Sequence, residues 1–190
     1  MNKKAIILIF LFFLTPVIVA VLLHSQWFSW QPGGTRNHGD LIQPVIPLPE
    51  FQVMSLAGER LAREDLLERW QLVHLRSTAC DEACLEDLYW LRQVRLAQDR
   101  HQPDVGLLLI STVSVPEAVQ AQVTELASDF AVIDGNAGSE LAEFFPPPGT
   151  GQGFYILDPM ANIILSYASD ADPNGIRRDL RRLLTWTQRN

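Results

Sequence analysis

The stretch Val105–Ser111, with the sequence VGLLLIS, constrains the fold more than any other feature of the chain. A continuous apolar run without alternating polar positions is typical of a strand that is buried on both faces of a sheet. Such a strand needs helices on both sides of its sheet, and helical patterns precede and follow it, over residues 80–99 and 116–126. This order of elements predicts the α/β fold class.

The other segments after residue 50 continue the alternation of strands and helices. Apolar and β-branched runs predict strands, whereas apolar residues at helical spacing predict helices. The predicted strands are residues 51–55, 71–77, 130–133 and a hairpin of 153–157 with 163–167, and the further predicted helices are residues 62–70, 140–145 and 175–188. A central mixed sheet flanked by helices, with a closing hairpin and a final helix, is the thioredoxin-like order.

An uncharged apolar run, residues 5–23, follows Lys3 and Lys4 at the N-terminus. Its 19 residues would span about 28 Å as a helix, roughly the thickness of a bilayer core. Cations before the run, and none directly after it, orient the N-terminus toward the cytoplasm. We therefore predict a single-pass anchor in the inner (cytoplasmic) membrane, residues 1–24, retained because residues 18–20 form a poor cleavage site. A buried globular helix is the alternative.

The composition changes after the predicted anchor. Residues 25–50 contain a Gly-Gly pair and several prolines without helical or alternating periodicity, which predicts a tether. The thioredoxin-like domain is then predicted over residues 51–190, on the periplasmic (extracytoplasmic) side of the membrane. The formal net charge of −7 argues against nucleic acid as a partner, because phosphate binding needs clustered Lys and Arg.

The two cysteines, Cys80 and Cys84, are the candidates for catalysis or metal binding. Cys80 comes directly after a predicted strand, and residues four apart share a helical face with Cα atoms about 6 Å apart. A disulfide can bridge this distance, and two thiolates there could also hold a soft cation such as Cu(I). A helix N-terminus favours a thiolate at Cys80, whereas Asp81 and Glu82 raise its pKa unless Arg76 offsets them. A structural disulfide and inert thiols are the alternatives.

A metal site at the cysteines needs a third ligand, and exchange chemistry needs a proton donor. The chain has four histidines, of which His24 and His38 lie in the anchor flank and the tether, and His101 follows the long helix. His74 lies inside the strand that leads to Cys80, on the same face as Leu72. His74 is therefore the best internal candidate for either role, and a core histidine bonded to a neighbour is the alternative interpretation.

Residues 70–84, WQLVHLRSTACDEAC, resemble the Sco (SenC-type) proteins, membrane-anchored copper chaperones that assist cytochrome c oxidase. The family pattern is an apolar strand followed by F-x-T-x-C-P-x-x-C-P, and the chain shares Thr78, Cys80 and Cys84 with it. Residues 110–117, which include Ile-Ser and Pro-Glu, and residues 154–159, FYILDP, are similar to two further motifs of the family.

The chain departs from the family pattern in several places. Asp81 and Leu85 replace the prolines that follow the family's cysteines. Thr150 stands where the family has its copper-binding histidine, eight residues before Asp158 of the hairpin. Residues 149–154 also lack the proline that thioredoxins place before the hairpin strand. The chain is thus similar to a divergent member of the group that lacks the copper-binding histidine.

The resemblance implies a role in the assembly of respiratory cytochrome c oxidase. The implied partners are oxidase subunit II or another assembly factor, and the lipid bilayer through residues 5–23. In one version, Cys80 and Cys84 exchange disulfides, which would make the protein a thiol–disulfide oxidoreductase. In the other version, they carry Cu(I), with His74 as the candidate third ligand. The alternative is a non-catalytic scaffold module whose cysteines form a structural disulfide.

Overall fold

The computed structural model describes residues 4, 10–16, 37–54, 60–146 and 151–187. The chain divides into two compact units, Met1–Arg36 and Asn37–Asn190. In the first unit, residues 10–16 are helical. Among the described residues, no helix combines the length and the apolar character needed to cross a membrane. Most of the predicted anchor, residues 1–24, lies outside the described residues and stays a prediction.

The second unit is built on a six-stranded mixed sheet with the strand order β1-β8-β7-β4-β5-β6. Strands β4, β5 and β6 are parallel, whereas β7, β8 and β1 are antiparallel to their neighbours. A separate two-stranded hairpin consists of β2 and β3. The strands are β1 Asp40–Pro47, β2 Gln52–Met54, β3 Arg60–Ala62, β4 Trp70–Arg76, β5 Val105–Ser111, β6 Phe130–Ile133, β7 Gly153–Leu157 and β8 Asn162–Ala168.

Four helices of the second unit cover the two faces of this sheet. They are α1 Glu82–Leu96, α2 Glu117–Leu126, α3 Gly135–Ala142 and α4 Pro173–Thr187. Helices α1, α2 and α4 share one apolar cluster with the sheet, and α3 belongs to a second cluster on the other face. All seven residues of β5 are buried, as the continuous apolar run predicts. The predicted central mixed sheet with flanking helices is confirmed.

The helix predicted over residues 62–70 was wrong. Only Arg63–Leu66 is helical, as a 3-10 turn, and the Asp65 carboxylate accepts the Ala62 backbone N–H at 2.7 Å. Glu68 then takes a positive φ of 65° and reverses the chain. The chain must enter the buried strand β4 at Trp70, so strand pairing overrides the local helical spacing.

Part of the predicted tether, residues 25–50, is a strand of the sheet. Strand β1 lies within that range and pairs with β8, with an irregularity in register between Leu41 and Ile46. Pro44 falls inside this irregularity, and β1 is an edge strand, where the missing N–H of a proline costs no hydrogen bond to a neighbouring strand. The sheet therefore includes residues that come before the predicted domain start at residue 51.

The helix predicted over residues 140–145 begins earlier, as α3. Gly135 takes a positive φ of 59°, and Gly138 lies so close to the Ser111 carbonyl that an added Cβ would overlap it. In sequence the two glycines look like a loop. In the structure they allow the helix to approach the end of β5.

Candidate functional site

Cys80 and Cys84 form a disulfide between the end of β4 and the start of α1, with Cα atoms 5.1 Å apart. Cys84 lies in the first turn of α1, whereas Cys80 precedes the N-cap residue Asp81 and is outside the helix. Cys84 is 0% exposed and Cys80 is 6% exposed. Residues 77–79 beside Cys80 are exposed, so Cys80 is the more accessible of the two cysteines.

Asp81 links the disulfide loop to a buried arginine. Its Oδ1 accepts the backbone N–H of Cys84 at 3.1 Å and the Nη2 of Arg76 at 2.8 Å. The pKa of Asp81 lies below its ordinary value, first because Cys84 donates to the carboxylate and then because Arg76 is close. The sequence predicts that Arg76 offsets the charge of Asp81, and the structure pairs the two side chains directly.

His74 is fully buried in the middle of β4. Its ring stacks on Phe154 of β7, with centroids 4.8 Å apart. Neither ring nitrogen makes a hydrogen bond of ordinary geometry with another described residue, and Nε2 lies 3.5 Å from Oδ2 of Asp87. Burial, followed by the charge of Arg76, lowers the pKa of His74 to about 4 against an opposing backbone contact with Gly153, so the imidazole is neutral at neutral pH.

Asp87 is a further titratable group near the disulfide, one helical turn after Cys84. Partial burial raises its pKa to about 6, and Arg76, whose Nη1 is 3.9 Å from Oδ2, opposes this shift. Asp87 can therefore gain or lose a proton near neutral pH. Sequence reasoning missed this residue, and its position three residues after Cys84 was the single available signal.

The remaining predicted histidine positions lie away from this cluster or outside the described residues. Nδ1 of His38 lies 3.1 Å from Asp179, and Nδ1 of His101 lies 3.3 Å from Asp104. His24 and Thr150 are outside the described residues. Gly151, just after Thr150, lies close to the loop between β4 and Cys80. A Cβ added at Gly151 would be 3.6 Å from Oγ of Ser77 in that loop.

The structure brings Cys80 and Cys84, two of the predicted metal ligands, together. The described residues contain no group of three or more His, Cys, Asp and Glu side chains that could hold a metal ion. The sulfurs of Cys80 and Cys84 are bonded to each other, and His74 directs Nε2 toward Asp87. The metal and catalytic roles of these residues stay predictions. Reduction would leave two thiols as the soft donors of the site.

A family model described as "Transmembrane-like, thioredoxin-like, C-terminal domain" matches residues 70–187. The chain belongs to this family. The matched region runs from β4 to α4 and contains Cys80, Cys84, His74 and Asp87, whereas β1, β2 and β3 precede it. No match was found among curated proteins.

Solved structures similar to this family member include several Sco proteins. Apo Sco1 of Thermus thermophilus is 16% identical, with a TM-score of 0.62, over 79% of this chain and 99% of that chain. Copper-bound ScoI of Arabidopsis thaliana is 15% identical, with a TM-score of 0.59, over 73% of this chain and 98% of that chain. BsSco, a Sco protein in which a disulfide switch was identified, is 15% identical, with a TM-score of 0.56, over 76% of this chain and 96% of that chain. These likenesses confirm the predicted thioredoxin-like fold.

Proposed function

We propose that this protein is a membrane-anchored, extracytoplasmic thiol–disulfide exchange factor that acts in the assembly of respiratory cytochrome c oxidase. The observation that carries the proposal is the Cys80–Cys84 disulfide, with Cys80 as the more accessible cysteine, at the start of α1. The similar structure BsSco belongs to the Sco family of cytochrome c oxidase assembly proteins, which supports the assembly role. The apolar run at residues 5–23 supports the anchor.

Exchange begins from the reduced pair. The Cys80 thiolate attacks a sulfur of the partner's disulfide, and the partner's other sulfur leaves as a thiolate that takes up a proton. The Cys84 thiolate then attacks the Cys80 sulfur, which forms the Cys80–Cys84 disulfide and releases the partner's second thiolate. The partner disulfide is reduced and this protein is oxidised. An extracytoplasmic dithiol reductant then returns the pair to its thiols.

Asp87 and His74 are the groups that handle protons in this proposal. Cys84 must lose its proton before it attacks Cys80, and Asp87 is an acceptor one turn further along α1. Its pKa of about 6 leaves it ionised but readily protonated at neutral pH. The neutral ring of His74 lies 3.5 Å from Oδ2 of Asp87 and can share that proton.

The test combines trapping of the mixed disulfide with a measurement of oxidase activity. Cys84→Ser leaves Cys80 unable to complete the exchange, so we expect it to accumulate a mixed disulfide with the partner that mass spectrometry identifies. The double variant Cys80→Ser/Cys84→Ser should form no adduct and should lose oxidase activity at normal protein levels. Full oxidase activity in the double variant would contradict the proposal and favour the scaffold alternative, in which the disulfide is structural.

Copper handling is the second candidate function, with Cu(I) as cargo. The closeness of the two sulfurs favours it, since the reduced pair could hold one soft cation between two thiolates. Copper is bound in the similar ScoI of Arabidopsis thaliana. A Cu(I) titration of the reduced full-length protein against a competing chelator tests it. Stoichiometric binding that disappears in Cys80→Ser/Cys84→Ser supports copper handling, and no competitive binding contradicts it.

A further inference from the structure

Positive charge is concentrated in the last helix of a domain that carries an excess of acidic residues. The chain has 22 Asp and Glu against 15 Lys and Arg, and its two lysines, Lys3 and Lys4, come before the domain. Residues 177–189, in contrast, contain five arginines and a single acidic residue, Asp179. The net charge of the domain therefore hides a basic segment.

The fold turns three of these arginines toward solvent along one stripe of α4. Positions separated by three, four and seven residues share one face of a helix, and here that face is exposed. The opposite face of α4 is apolar and packs in the core. We call the exposed stripe the basic face, and it consists of Arg178, Arg181, Arg182 and Thr185.

Neighbouring acidic residues neutralise the basic face only in part. Nη2 of Arg181 lies 3.6 Å from Oδ2 of Asp99, and both side chains are more than half exposed, so water screens the pair. Arg178 acts on the charge of Asp172, but Asn174 already donates to that carboxylate. Exposed arginines with such weak partners can bind the phosphate groups of an anionic lipid surface.

The chain enters the domain beside the basic face. Asn37 is the first residue of the second unit, and the backbone N–H of His38 donates to Oδ2 of Asp179 in α4 at 2.7 Å. Nη1 of Arg182 lies 3.6 Å from Oδ1 of the same carboxylate. The segment that connects the domain to the proposed anchor is therefore attached next to these arginines.

The length and charge of the connecting segment favour a lipid surface as the partner. The apolar run ends at residue 23, so 13 residues separate it from residue 37, and they span at most about 45 Å. Such a short connection gives lipid headgroups a high effective concentration at the domain, so weak contacts are enough. Residues 24–39 contain no Asp or Glu that an anionic surface would repel.

The basic face lies away from the disulfide. Residues 169–174, just before α4, line a groove together with Trp90 of α1. Further along α4, the Arg177 carbonyl accepts the side-chain amide of Gln98, which follows the end of α1, at 3.5 Å. The two helices thus run in the same direction, and α1 rises roughly 18 Å from Cys84 to its end. A membrane bound at the basic face leaves the disulfide uncovered.

We infer that the basic face of α4 binds the anionic headgroups of the bilayer in which the chain is anchored. This inference rests on the anchor of the proposed function and adds a preferred orientation of the domain on the membrane. The arginines contact lipid phosphates, while the Cys80–Cys84 disulfide stays accessible to a partner protein.

The experiment uses the oxidised full-length protein in lipid nanodiscs. A bimane fluorophore is attached at Thr185→Cys in the basic face, while Cys80 and Cys84 stay in their disulfide. Phosphatidylcholine with a nitroxide on its headgroup quenches the fluorophore on contact. At low salt we expect quenching about fivefold stronger in nanodiscs that contain phosphatidylglycerol than in nanodiscs of phosphatidylcholine alone, with the difference shrinking at high salt.

A second label position and two matched variants locate the contact. Asn136→Cys places the fluorophore at an exposed position of α3, on the other face of the sheet, where quenching should not depend on the lipid. Arg178→Gln/Arg181→Gln should lower the ratio of bound to unbound basic face by roughly tenfold. Arg178→Lys/Arg181→Lys keeps both charges and should retain most of the binding.

Three results would overturn the inference. They are equal quenching in the two lipid compositions, equal quenching at the two label positions, and unchanged quenching in Arg178→Gln/Arg181→Gln. Each would leave the basic face to an acidic partner protein or to solvent.

The same samples separate this inference from the proposed function. A chain that does not enter phosphatidylcholine nanodiscs would contradict the anchor, and this inference with it. A chain that enters them without lipid-dependent quenching would overturn this inference alone. Exchange with the small neutral probe 2-hydroxyethyl disulfide reports on the cysteines, and Arg178→Gln/Arg181→Gln should leave its rate unchanged.

Discussion

At the scale of single residues, folding shifts the pKa values of His74 and Asp87 in opposite directions. Folding raises the pKa of Asp87 from 3.8 to about 6 because burial disfavours its charge. Folding lowers the pKa of His74 from 6.5 to about 4, again mainly through burial. Both shifts favour the neutral forms, so His74 is uncharged at neutral pH and Asp87 is the member of the pair that titrates closer to neutral pH.

The two groups affect stability with opposite signs as pH changes. The contribution of Asp87 to the free energy of unfolding is fully present below pH 4 and is lost as pH rises through about 6. The contribution of His74 is present above pH 6.5 and is lost as pH falls through about 4. Between these limits the two contributions partly cancel, so the stability of the unmodified protein should depend only weakly on pH.

Asp87→Asn should expose the pH dependence of His74. At pH 7 we expect the variant to be more stable by about 1 kcal/mol, because it no longer holds a half-buried charge. Its free energy of unfolding should then fall by roughly 2 kcal/mol more than that of the unmodified protein between pH 6.5 and 4.5. Urea unfolding at several pH values measures both effects. Asp170→Asn, at an exposed position, is the control, and identical pH profiles for Asp87→Asn and the unmodified protein would contradict the assignment.

At the scale of secondary-structure elements, Asp179 joins α4 to β8 and to the start of β1. Its buried carboxylate accepts the backbone N–H groups of His38 at 2.7 Å and Gly39 at 3.1 Å, and the Tyr167 hydroxyl at 3.0 Å. Gly39 approaches so closely that an added Cβ would lie 2.5 Å from the Tyr167 ring. The buried carboxyl group of Asp179 therefore holds the backbone directly before strand β1.

Asp179→Asn should loosen β1 before the rest of the sheet. All three donors share Oδ2, so an amide oxygen could still accept them, but it would lack the negative charge that strengthens these hydrogen bonds. The amide nitrogen would also replace Oδ1, which faces Nδ1 of His38 and Nη1 of Arg182. We expect the free energy of unfolding to fall by about 2 kcal/mol. Hydrogen exchange should speed up more in Asp40–Pro47 than in Gly153–Leu157. A uniform increase across both strands would argue against a local role, and Asp170→Asn again serves as the control.

At the scale of the whole molecule, the disulfide is a small part of what holds the domain together. Two apolar clusters cover the faces of the six-stranded sheet. The cysteines are separated by four positions in the sequence, so the disulfide closes a very short loop. The chain-entropy cost that it removes from the unfolded state is about 2 kcal/mol, whereas domains of ordinary size are stable by roughly 5–15 kcal/mol.

The reduced protein should therefore stay folded, as the proposed exchange function requires. Circular dichroism of the full-length protein should be unchanged by a dithiol reductant at neutral pH. The urea midpoint should fall by an amount that corresponds to about 2 kcal/mol. Cys80→Ser/Cys84→Ser should match the reduced protein. Cooperative unfolding on reduction alone would identify the disulfide as a structural element and favour the scaffold alternative.

The sequence by itself determined the elements with strong local patterns. The continuous apolar run placed β5 at its observed bounds, and the strands at residues 130–133 and 153–157 were also predicted as found. The cysteine spacing predicted a pair that a disulfide could join. These features depend on side-chain periodicity and on separations within one helical turn, which a single sequence contains.

Only the tertiary structure decided the features that depend on distant partners. Strand β1 exists because β8 offers it an edge and Asp179 binds its start, although its own sequence with Pro44 resembles a tether. Asp87 belongs to the site because α1 packs over β4 and brings it to His74. The groove beside Asp87 is lined by residues of α1 and by residues 169–174, which come from far along the chain. The burial and the charge environment of these residues depend on which distant segments pack together, and local sequence patterns do not specify that packing.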